Sequence, residues 1–146
     1  GDGGFQMSIQ ALVTAAMYQR PIKCFILNNG CYKFIEFEEA SHDGNPAAGT
    51  EFLNPDYAKL AEACHCKGIS VNDYDELMPA VQEALAHDGP VVGDCRVDPD
   101  ALMIPPAVTA HMALNYMKSE IRSWFAPPSP EIKALAAQAE AEAAGQ

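Results

Sequence analysis

Three short predicted strand segments, separated by segments of helical periodicity, constrain the fold of this chain more than any other feature. The strand segments are IKCFILNNG at 22–30, KGISVND at 67–73 and PVVGDCRVD at 90–98. The first is apolar up to its asparagines, as expected of a strand buried on both faces of a sheet. Alternation of such strands with helices indicates right-handed crossovers. The predicted fold class is therefore α/β, a three-layer α/β/α arrangement with a mainly parallel sheet.

The segments between these predicted strands have the periodicity of helices. Residues 5–19 place apolar side chains at helical spacing, which predicts one helix that starts at the preceding glycines and closes at Pro21. A further helix is predicted over 74–89, with Gly89 closing it.

Two other segments carry turn and cap signals. Asn54 is predicted as the N-cap of a helix whose first turn contains Pro55. From Cys31 to Phe52 the sequence mixes aromatic and acidic residues with SHDGNPAAGT, which predicts a short helix followed by a mobile loop.

The chain changes character after Pro99. The double proline in DALMIPPAV excludes regular structure there, and residues 109–125 then read as a helix. One face of this helix is predicted to dock on the protein or on a partner chain, and it carries Met112, Tyr116, Ile121 and Trp124. We accordingly predict one domain at 1–104 and a C-terminal helical extension at 105–146, whose Ala/Glu-rich end should fray.

Composition narrows the function classes. The 146 residues suit one domain, and 9 basic against 20 acidic residues give a net charge of −11, which argues against a nucleic-acid partner. On the polar face of the last helix only Lys118 and Arg122 are basic, which disfavours a membrane-surface role. Five cysteines without a CxxC pair indicate neither a disulfide framework nor a zinc site, and a reducing cytoplasm fits them best.

The glycine-rich opening GDGGFQ carries the clearest chemistry. A glycine turn that leads into a helix presents N–H groups to phosphate, and an adjacent Asp can bind a hard cation. An ordinary surface turn is the alternative for these residues alone. Asn28 and Asn29 follow the next predicted strand, whose carboxyl end should lie at the same sheet edge, so Asp2 and Asn29 are expected to meet. The pattern favours a magnesium and diphosphate site.

This pattern resembles the cofactor motif of thiamine diphosphate-dependent enzymes, in which GDG is followed by NN after about one crossover. Asn29 lies 27 positions after Asp2, within the spacing of that family. The resemblance runs from Gly1 to about Pro106 and implies that Asp2, Asn29 and the backbone carbonyl of Cys31 bind Mg²⁺. The cofactor-binding residues that it implies are Gly1, Asp2, Gly3, Gly4, Asn29, Cys31 and Tyr32.

Within that family, YKFIEFEEA and HDGPVVGDCRVDPDALMIPP look most like pyruvate oxidases and quinone-dependent pyruvate dehydrogenases. Phe34 and Glu38 match positions that line the substrate side of the thiazolium, while an ordinary amphipathic helix is the alternative for them. Lys33 and Glu36 depart from the family pattern. The resemblance implies decarboxylation of a 2-keto acid, with pyruvate as the leading substrate and a flavin as electron acceptor. An acetolactate synthase-like carboligase or a non-oxidative decarboxylase is the alternative.

The resemblance also implies partners. Enzymes of this branch carry a pyrimidine-binding domain and a central domain, which would hold any FAD, and neither is present in these 146 residues. We therefore expect a piece of a longer, homo-oligomeric enzyme, a dimer or a tetramer, that by itself binds cofactor weakly and catalyses nothing. A binding or assembly module without chemistry is the alternative function class.

Overall fold

The computed structural model describes residues 1–101 and 107–125, and the chain divides into two compact units. The sheet unit comprises Gly1–Gly30 and Asn54–Pro99. The helix-pair unit comprises Cys31–Leu53 and the chain from Asp100 onward. In chain order the described elements are α1 (Asp2–Gln6), α2 (Ala11–Met17), β1 (Lys23–Asn28), α3 (Lys33–Asp43), α4 (Tyr57–Ala63), β2 (Lys67–Val71), α5 (Tyr74–Ala86), β3 (Val91–Arg96) and α6 (Ala110–Ser123).

The sheet unit contains three parallel strands in the order β1-β3-β2. Val91 at the start of β3 lies opposite both Lys23 of β1 and Lys67 of β2, so the three strands begin in register. Each of the three predicted strand segments forms a strand, and helices connect these strands along the chain. The predicted α/β class with a parallel sheet is confirmed.

Strand β1 differs from its prediction as a strand buried on both faces. Only Ile26 and Asn28 are buried in it, and Leu27 is 60% exposed. Within the described residues β1 pairs with β3 alone, whereas β3 lies between two strands and is buried along Val91–Cys95. A continuous apolar run indicates a hydrophobic strand but not its position in the sheet. The prediction therefore assigned to β1 the burial on both faces that the structure shows for the central strand β3.

The first predicted helix is divided in two. Helix α1 does start at the glycines, but turn residues 7–10 separate it from α2. In this turn the Ser8 N–H donates to the Phe5 carbonyl and the Ala11 N–H donates to the Ser8 carbonyl, an i to i+3 pattern. Apolar spacing continues through such a turn because 3₁₀-type and α-helical turns place side chains on similar faces.

Two predicted helix ends also differ. Asp56, not Asn54, caps α4, since its carboxylate accepts a hydrogen bond from the Lys59 N–H at 2.9 Å. Helix α5 ends at Ala86 with His87 as an extended C-cap, so Gly89 does not close it. The Asn54 side chain has other hydrogen-bond partners, and Asp56 lies at the position that precedes the first helical residue.

The core of the sheet unit is apolar with one large aromatic residue, Tyr57, at its centre. One cluster of buried residues contains Leu12, Ala16, Ile26, Tyr57, Ala61, Cys66 and Val92. A second contains Val71, Ala80 and Cys95. Gly68 permits the close approach of α4 to β2, because a Cβ at this position would lie 2.6 Å from the Ala58 carbonyl carbon.

The helix-pair unit is held by polar side chains of α6. Asn115 Nδ2 donates to the His42 carbonyl at 2.9 Å, and Ser119 Oγ donates to the Asn45 carbonyl at 2.9 Å. Arg122 Nη1 donates to the Gly44 carbonyl at 2.6 Å. These carbonyls belong to the end of α3 and the residues after it, so α6 satisfies groups that a helix leaves unpaired at its C-terminus.

The predicted docking face of α6 is covered only in part within this chain, and docking on a partner chain stays a prediction. Tyr116 packs on Phe37 with ring centroids 5.1 Å apart, and Met112 is half-buried. Ile121 and Trp124 are 51% and 78% exposed. The buried residues of the helix are Asn115 and Ser119 instead, because hydrogen bonds to α3 rather than apolar burial orient it.

Some expectations concern residues 102–106 and 126–146, which lie outside the described residues: the double-proline segment, the boundary at 104 and the fraying end. Among the helices that the structure does describe, none has the length and hydropathy required to cross a membrane.

Candidate functional site

The Asp2 carboxylate lies at the carboxyl end of β1, and it is buried, with 2% of the residue exposed. Its Oδ2 accepts a hydrogen bond from the Gly30 N–H at 2.7 Å and from Asn54 Nδ2 at 2.6 Å. Gly30 has φ +74°, a left-handed conformation that a residue with a side chain rarely adopts. The glycine turn after β1 therefore directs its N–H towards Asp2.

The structure brings Asp2 next to the Asn29–Gly30 peptide, whose N–H is the donor to Oδ2. Asn29 is half-buried beside this turn. A carboxylate at the start of α1 and the backbone N–H of Gly30 after β1 thus come together at one sheet edge. This placement follows from parallel topology, in which strand ends and the starts of the following helices share an edge.

Asn54 is the site residue that the sequence analysis missed. Its Nδ2 donates to Asp2 Oδ2 and, at 2.7 Å, to Asn28 Oδ1. Its Oδ1 accepts from Tyr57 Oη at 2.7 Å and from Gln6 Nε2 at 2.8 Å. The Asn-Pro signal suggested a cap, and no local pattern reveals a hydrogen bond to a residue 52 positions away.

A buried polar network extends from Asp2 to a second carboxylate. Asn28 Nδ2 donates to Asp94 Oδ1 at 2.8 Å, and Asn28 and Asp94 are 1% and 4% exposed. Asn54 therefore joins Asp2 to the Asn28–Asp94 pair. No buried side-chain nitrogen or oxygen of the described residues lacks a hydrogen-bond partner, as expected where polar groups leave water.

The glycines at the start of α1 are compatible with an anion. The first intrahelical bond runs from the Phe5 N–H to the Gly1 carbonyl at 3.0 Å, so the N–H groups of Gly3 and Gly4 precede the helical ladder. A Cβ on Gly4 would meet no atom within 4 Å, so open space lies beside this backbone. Gly1 itself lies against β1, since a Cβ there would be 4.0 Å from the Leu27 carbonyl oxygen.

These groups fit Mg²⁺ and a diphosphate chemically. Carboxylate and amide oxygens are the ligand types that Mg²⁺ takes from proteins, and diphosphate oxygens complete such shells. Asp2 and Asn29 carry one oxygen-bearing group each, and no atom would obstruct a group placed beside Gly4 within 4 Å of its Cβ position.

The other predicted residues belong to the helix-pair unit. Cys31 is buried and forms an antiparallel bridge with Glu51. The Tyr32 N–H donates to the Thr50 carbonyl at 2.8 Å, and its ring lies 4.7 Å from that of Phe52. The segment after α3 thus contacts the backbone of Cys31 and Tyr32, the two residues that precede α3.

Phe34 and Glu38 both lie on α3, and both are exposed. A cavity of about 780 Å³ in the helix-pair unit is lined by Glu38, Glu39, Ser41, His42, Asp43, Asn45, Pro46, Ala48, His111 and Met112. Glu38 faces this cavity and Phe34 is not among its lining residues. The structure thus places the two predicted substrate residues on one helix, with only Glu38 at this cavity.

The two residues that depart from the family pattern pair with each other. Lys33 Nζ lies 2.9 Å from Glu36 Oε1 in the first turn of α3. Partial burial lowers the pKa of Lys33, but the hydrogen bond and charge of Glu36 outweigh it, so the net pKa is raised. The additional acid therefore has a structural partner and does not add an unpaired charge.

Comparison with known proteins identifies the family of the chain. The family model "Thiamine pyrophosphate enzyme, C-terminal TPP binding domain" matches residues 1–95, and thiamine pyrophosphate is another name for thiamine diphosphate. The chain belongs to the thiamine pyrophosphate enzymes. The resemblance drawn from GDG and NN is confirmed, and the matched range contains α1, β1 and most of β3.

Three curated relatives are similar in sequence to this chain. The chain is 39% identical over 92% of its length to the Bacillus subtilis protein YdaP, described as thiamine pyrophosphate-containing. It is 36% identical over 72% of its length to the acetolactate synthase large subunit of Corynebacterium glutamicum, and 31% over 68% to the pyruvate oxidase of Lactiplantibacillus plantarum. The chain spans 23%, 18% and 17% of these relatives, respectively.

A solved structure shares the fold. The thiamine diphosphate-dependent 4-hydroxybenzoylformate decarboxylase of Rhodococcus jostii RHA1 superposes with a TM-score of 0.65 and 31% sequence identity. The match covers 68% of this chain and 19% of that one.

Proposed function

We propose that this chain binds the diphosphate of thiamine diphosphate through Mg²⁺, as the cofactor-binding part of an enzyme that decarboxylates a 2-keto acid. The observation that carries the proposal is the buried Asp2 carboxylate, held beside the Asn29–Gly30 peptide at the end of β1. Asp2 and Asn29 are the proposed metal ligands, together with the Cys31 carbonyl that the resemblance implies. Gly3 and Gly4 are proposed to donate N–H groups to the diphosphate.

When bound, thiamine diphosphate supplies an electron sink for the carbon that loses carbon dioxide. This chain's own residues anchor the diphosphate end and exclude water from the Asp2 carboxylate. Tyr32, Phe34 and Glu38 keep their predicted roles on the cofactor and substrate side. FAD, pyruvate as substrate and a homo-oligomeric holoenzyme remain parts of the proposal.

Oxidative decarboxylation of pyruvate is the leading reaction, supported by the motif likeness and by the relative named pyruvate oxidase. Acetolactate synthesis is the second candidate, because several acetolactate synthase large subunits are 33–36% identical to this chain. Flavin absorbance together with product analysis of the holoenzyme separates them. Acetolactate as the main product would favour the second reaction.

The experiment that tests cofactor binding is calorimetric titration of the full chain with thiamine diphosphate, with and without Mg²⁺. We expect binding that requires Mg²⁺ and that Asp2→Asn weakens at least about tenfold, about 1.4 kcal/mol. The matched control is Asp75→Asn, an exposed carboxylate in the first turn of α5, which should bind as the wild type does. Binding that is indifferent to Mg²⁺, or equal in Asp2→Asn, would overturn the proposal.

A further inference from the structure

Asn54 makes four side-chain hydrogen bonds at the edge of the sheet where Asp2 and Asn29 lie. We propose that Asn54 is a positioning residue for the metal site: it sets the orientation of the Asp2 carboxylate and, through Asn28, the strand end that carries Asn29. This inference rests on the proposed function, because it assigns Asn54 a role towards the Mg²⁺ that Asp2 and Asn29 would bind.

The chemistry of its partners fixes the orientation of the Asn54 amide. Asp2 Oδ2 accepts from the Gly30 N–H as well, and an ionised carboxylate has no proton to donate, so the NH₂ group of Asn54 must face Asp2. The carbonyl oxygen of Asn54 then faces Tyr57 Oη, which lies 2.7 Å away. Both ends of the amide are used, so a flipped amide would lose bonds at each end.

The hydrogen bonds determine the rotation of the Asp2 carboxylate. Two donors, one from the backbone of Gly30 and one from the Asn54 side chain, converge on Oδ2 at 2.7 Å and 2.6 Å. The Gly30 donor is fixed by the left-handed turn after β1. Without Asn54, Oδ2 would lose the side-chain donor that lies 2.6 Å away. Mutation of a residue that orients a metal ligand typically costs about 10-fold to 100-fold in metal affinity.

Asn54 also acts on the second proposed ligand. The same Nδ2 donates to Asn28 Oδ1, and Asn28 is the residue before Asn29. On its other side Asn28 donates to the buried Asp94 carboxylate, so its side chain is held from both ends. One amide therefore couples the carboxylate of α1 to the end of β1.

The support beneath Asn54 comes from the core. Tyr57 is fully buried, and its ring meets that of Phe5 edge to face at 5.4 Å. Its hydroxyl also lies 3.3 Å from the Asp2 backbone carbonyl. The packed ring of Tyr57 thus holds the Asn54 amide, and this amide contacts the Asp2 carboxylate. Packing in the core therefore supports the geometry of the site.

The test measures cation affinity rather than turnover. Mn²⁺ substitutes for Mg²⁺ in all-oxygen sites, and its free concentration is read from its electron paramagnetic resonance signal. The full chain with thiamine diphosphate is titrated with Mn²⁺ as wild type, Asp2→Asn, Asn54→Leu and Tyr57→Phe. We expect Asn54→Leu, which keeps the side-chain shape but removes both polar ends, to weaken Mn²⁺ binding about 10-fold to 100-fold.

Controls separate positioning from stability. Val71→Ala removes core volume from the cluster of Val71, Ala80 and Cys95, and the Val71 side chain takes no part in the hydrogen bonds of the network, so the variant should lower the unfolding midpoint without weakening Mn²⁺ binding. Tyr57→Phe keeps the ring and removes only the hydroxyl that donates to Asn54 Oδ1. We expect it to weaken Mn²⁺ binding severalfold, and it tests the role of Asn54 if Asn54→Leu fails to fold.

The outcomes are distinct. Absence of Mn²⁺ binding in the wild type would overturn the proposed function and this inference with it. Loss of binding in Asp2→Asn, with wild-type binding in Asn54→Leu, would leave the proposed function standing and overturn the role of Asn54. Equal weakening in Val71→Ala and Asn54→Leu would show a stability effect and would also overturn it.

Discussion

The sheet unit and the helix-pair unit use polar groups in opposite ways. In the sheet unit an apolar core and strand ladders surround a network that links the Asp2 and Asp94 carboxylates through amide groups. In the helix-pair unit the polar side chains Asn115, Ser119 and Arg122 themselves bind α6 to the carbonyls at the end of α3. Buried polar side chains surround a candidate site in the sheet unit, whereas in the helix-pair unit they hold α6 against α3.

This difference teaches that a buried polar residue must be assigned from its partners. Asn54 and Asn115 are the same residue type, and each donates through Nδ2 to two oxygens. The partners of Asn54 are side chains, one of them the carboxylate of a predicted metal ligand. Those of Asn115 are backbone carbonyls that α3 leaves without helical donors.

The largest effect is expected at the close contact between α4 and β2 in the sheet unit. Gly68→Ala would place a Cβ 2.6 Å from the Ala58 carbonyl carbon, and backbone atoms cannot move aside as a flexible side chain does. We expect a loss of about 3 kcal/mol or more in the free energy of unfolding, measured by urea titration. Gly4→Ala is the control, because its Cβ would meet no atom within 4 Å. Equal stability of the two variants would contradict the close approach of α4 to β2.

A smaller effect is expected from the polar attachment of α6. Asn115→Leu removes the donor to the Ser41 and His42 carbonyls and should cost about 2 kcal/mol, because buried acceptors would lose their partner. Faster hydrogen exchange of the α6 amides is the measurement. Met117→Ala alters the same helix at a residue that is 61% exposed, and it should leave exchange unchanged. If both variants exchange alike, hydrogen bonds do not hold α6.

The smallest effect concerns a carboxylate outside both polar networks. The Lys59 N–H donates to Asp56 at the N-terminus of α4, and this bond lowers the pKa of Asp56. Because the folded-state pKa lies below the unfolded value of about 3.9, the stabilisation is present above that value and is lost as pH falls through the folded-state pKa. Asp56→Ala should cost about 1 kcal/mol near neutral pH.

Carboxyl NMR titration and unfolding at acidic pH check this prediction. The helix-pair unit offers a comparison in Asp43, whose pKa is lowered by hydrogen bonds from Asn45. Asp56→Asn keeps an oxygen for the Lys59 N–H, so it should keep most of the cap and lose the pH dependence. An Asp56 pKa at or above the unfolded value would contradict the cap.

Much of the fold was predictable because its signals are local. The three predicted strand segments form β1, β2 and β3, and a helix starts at the glycines before Phe5, as the spacing indicated. The turn at 7–10 was not predicted, since a brief change of helical hydrogen bonding leaves apolar spacing nearly intact. The cap of α4 was misassigned because Asn54 and Asp56 are both good capping residues, and tertiary partners chose between them.

Patterns along the chain are enough to predict the strand and helix types, the parallel α/β class and the family, since Asp2 and Asn29 with their glycines form a recognisable motif at a fixed spacing. Three features emerge only in the folded chain: β3 is central, α6 buries Asn115 rather than Trp124, and Asn54 contacts Asp2. Periodicity and motifs describe neighbours along the chain, whereas burial and long-range hydrogen bonds depend on which distant segments the fold brings together.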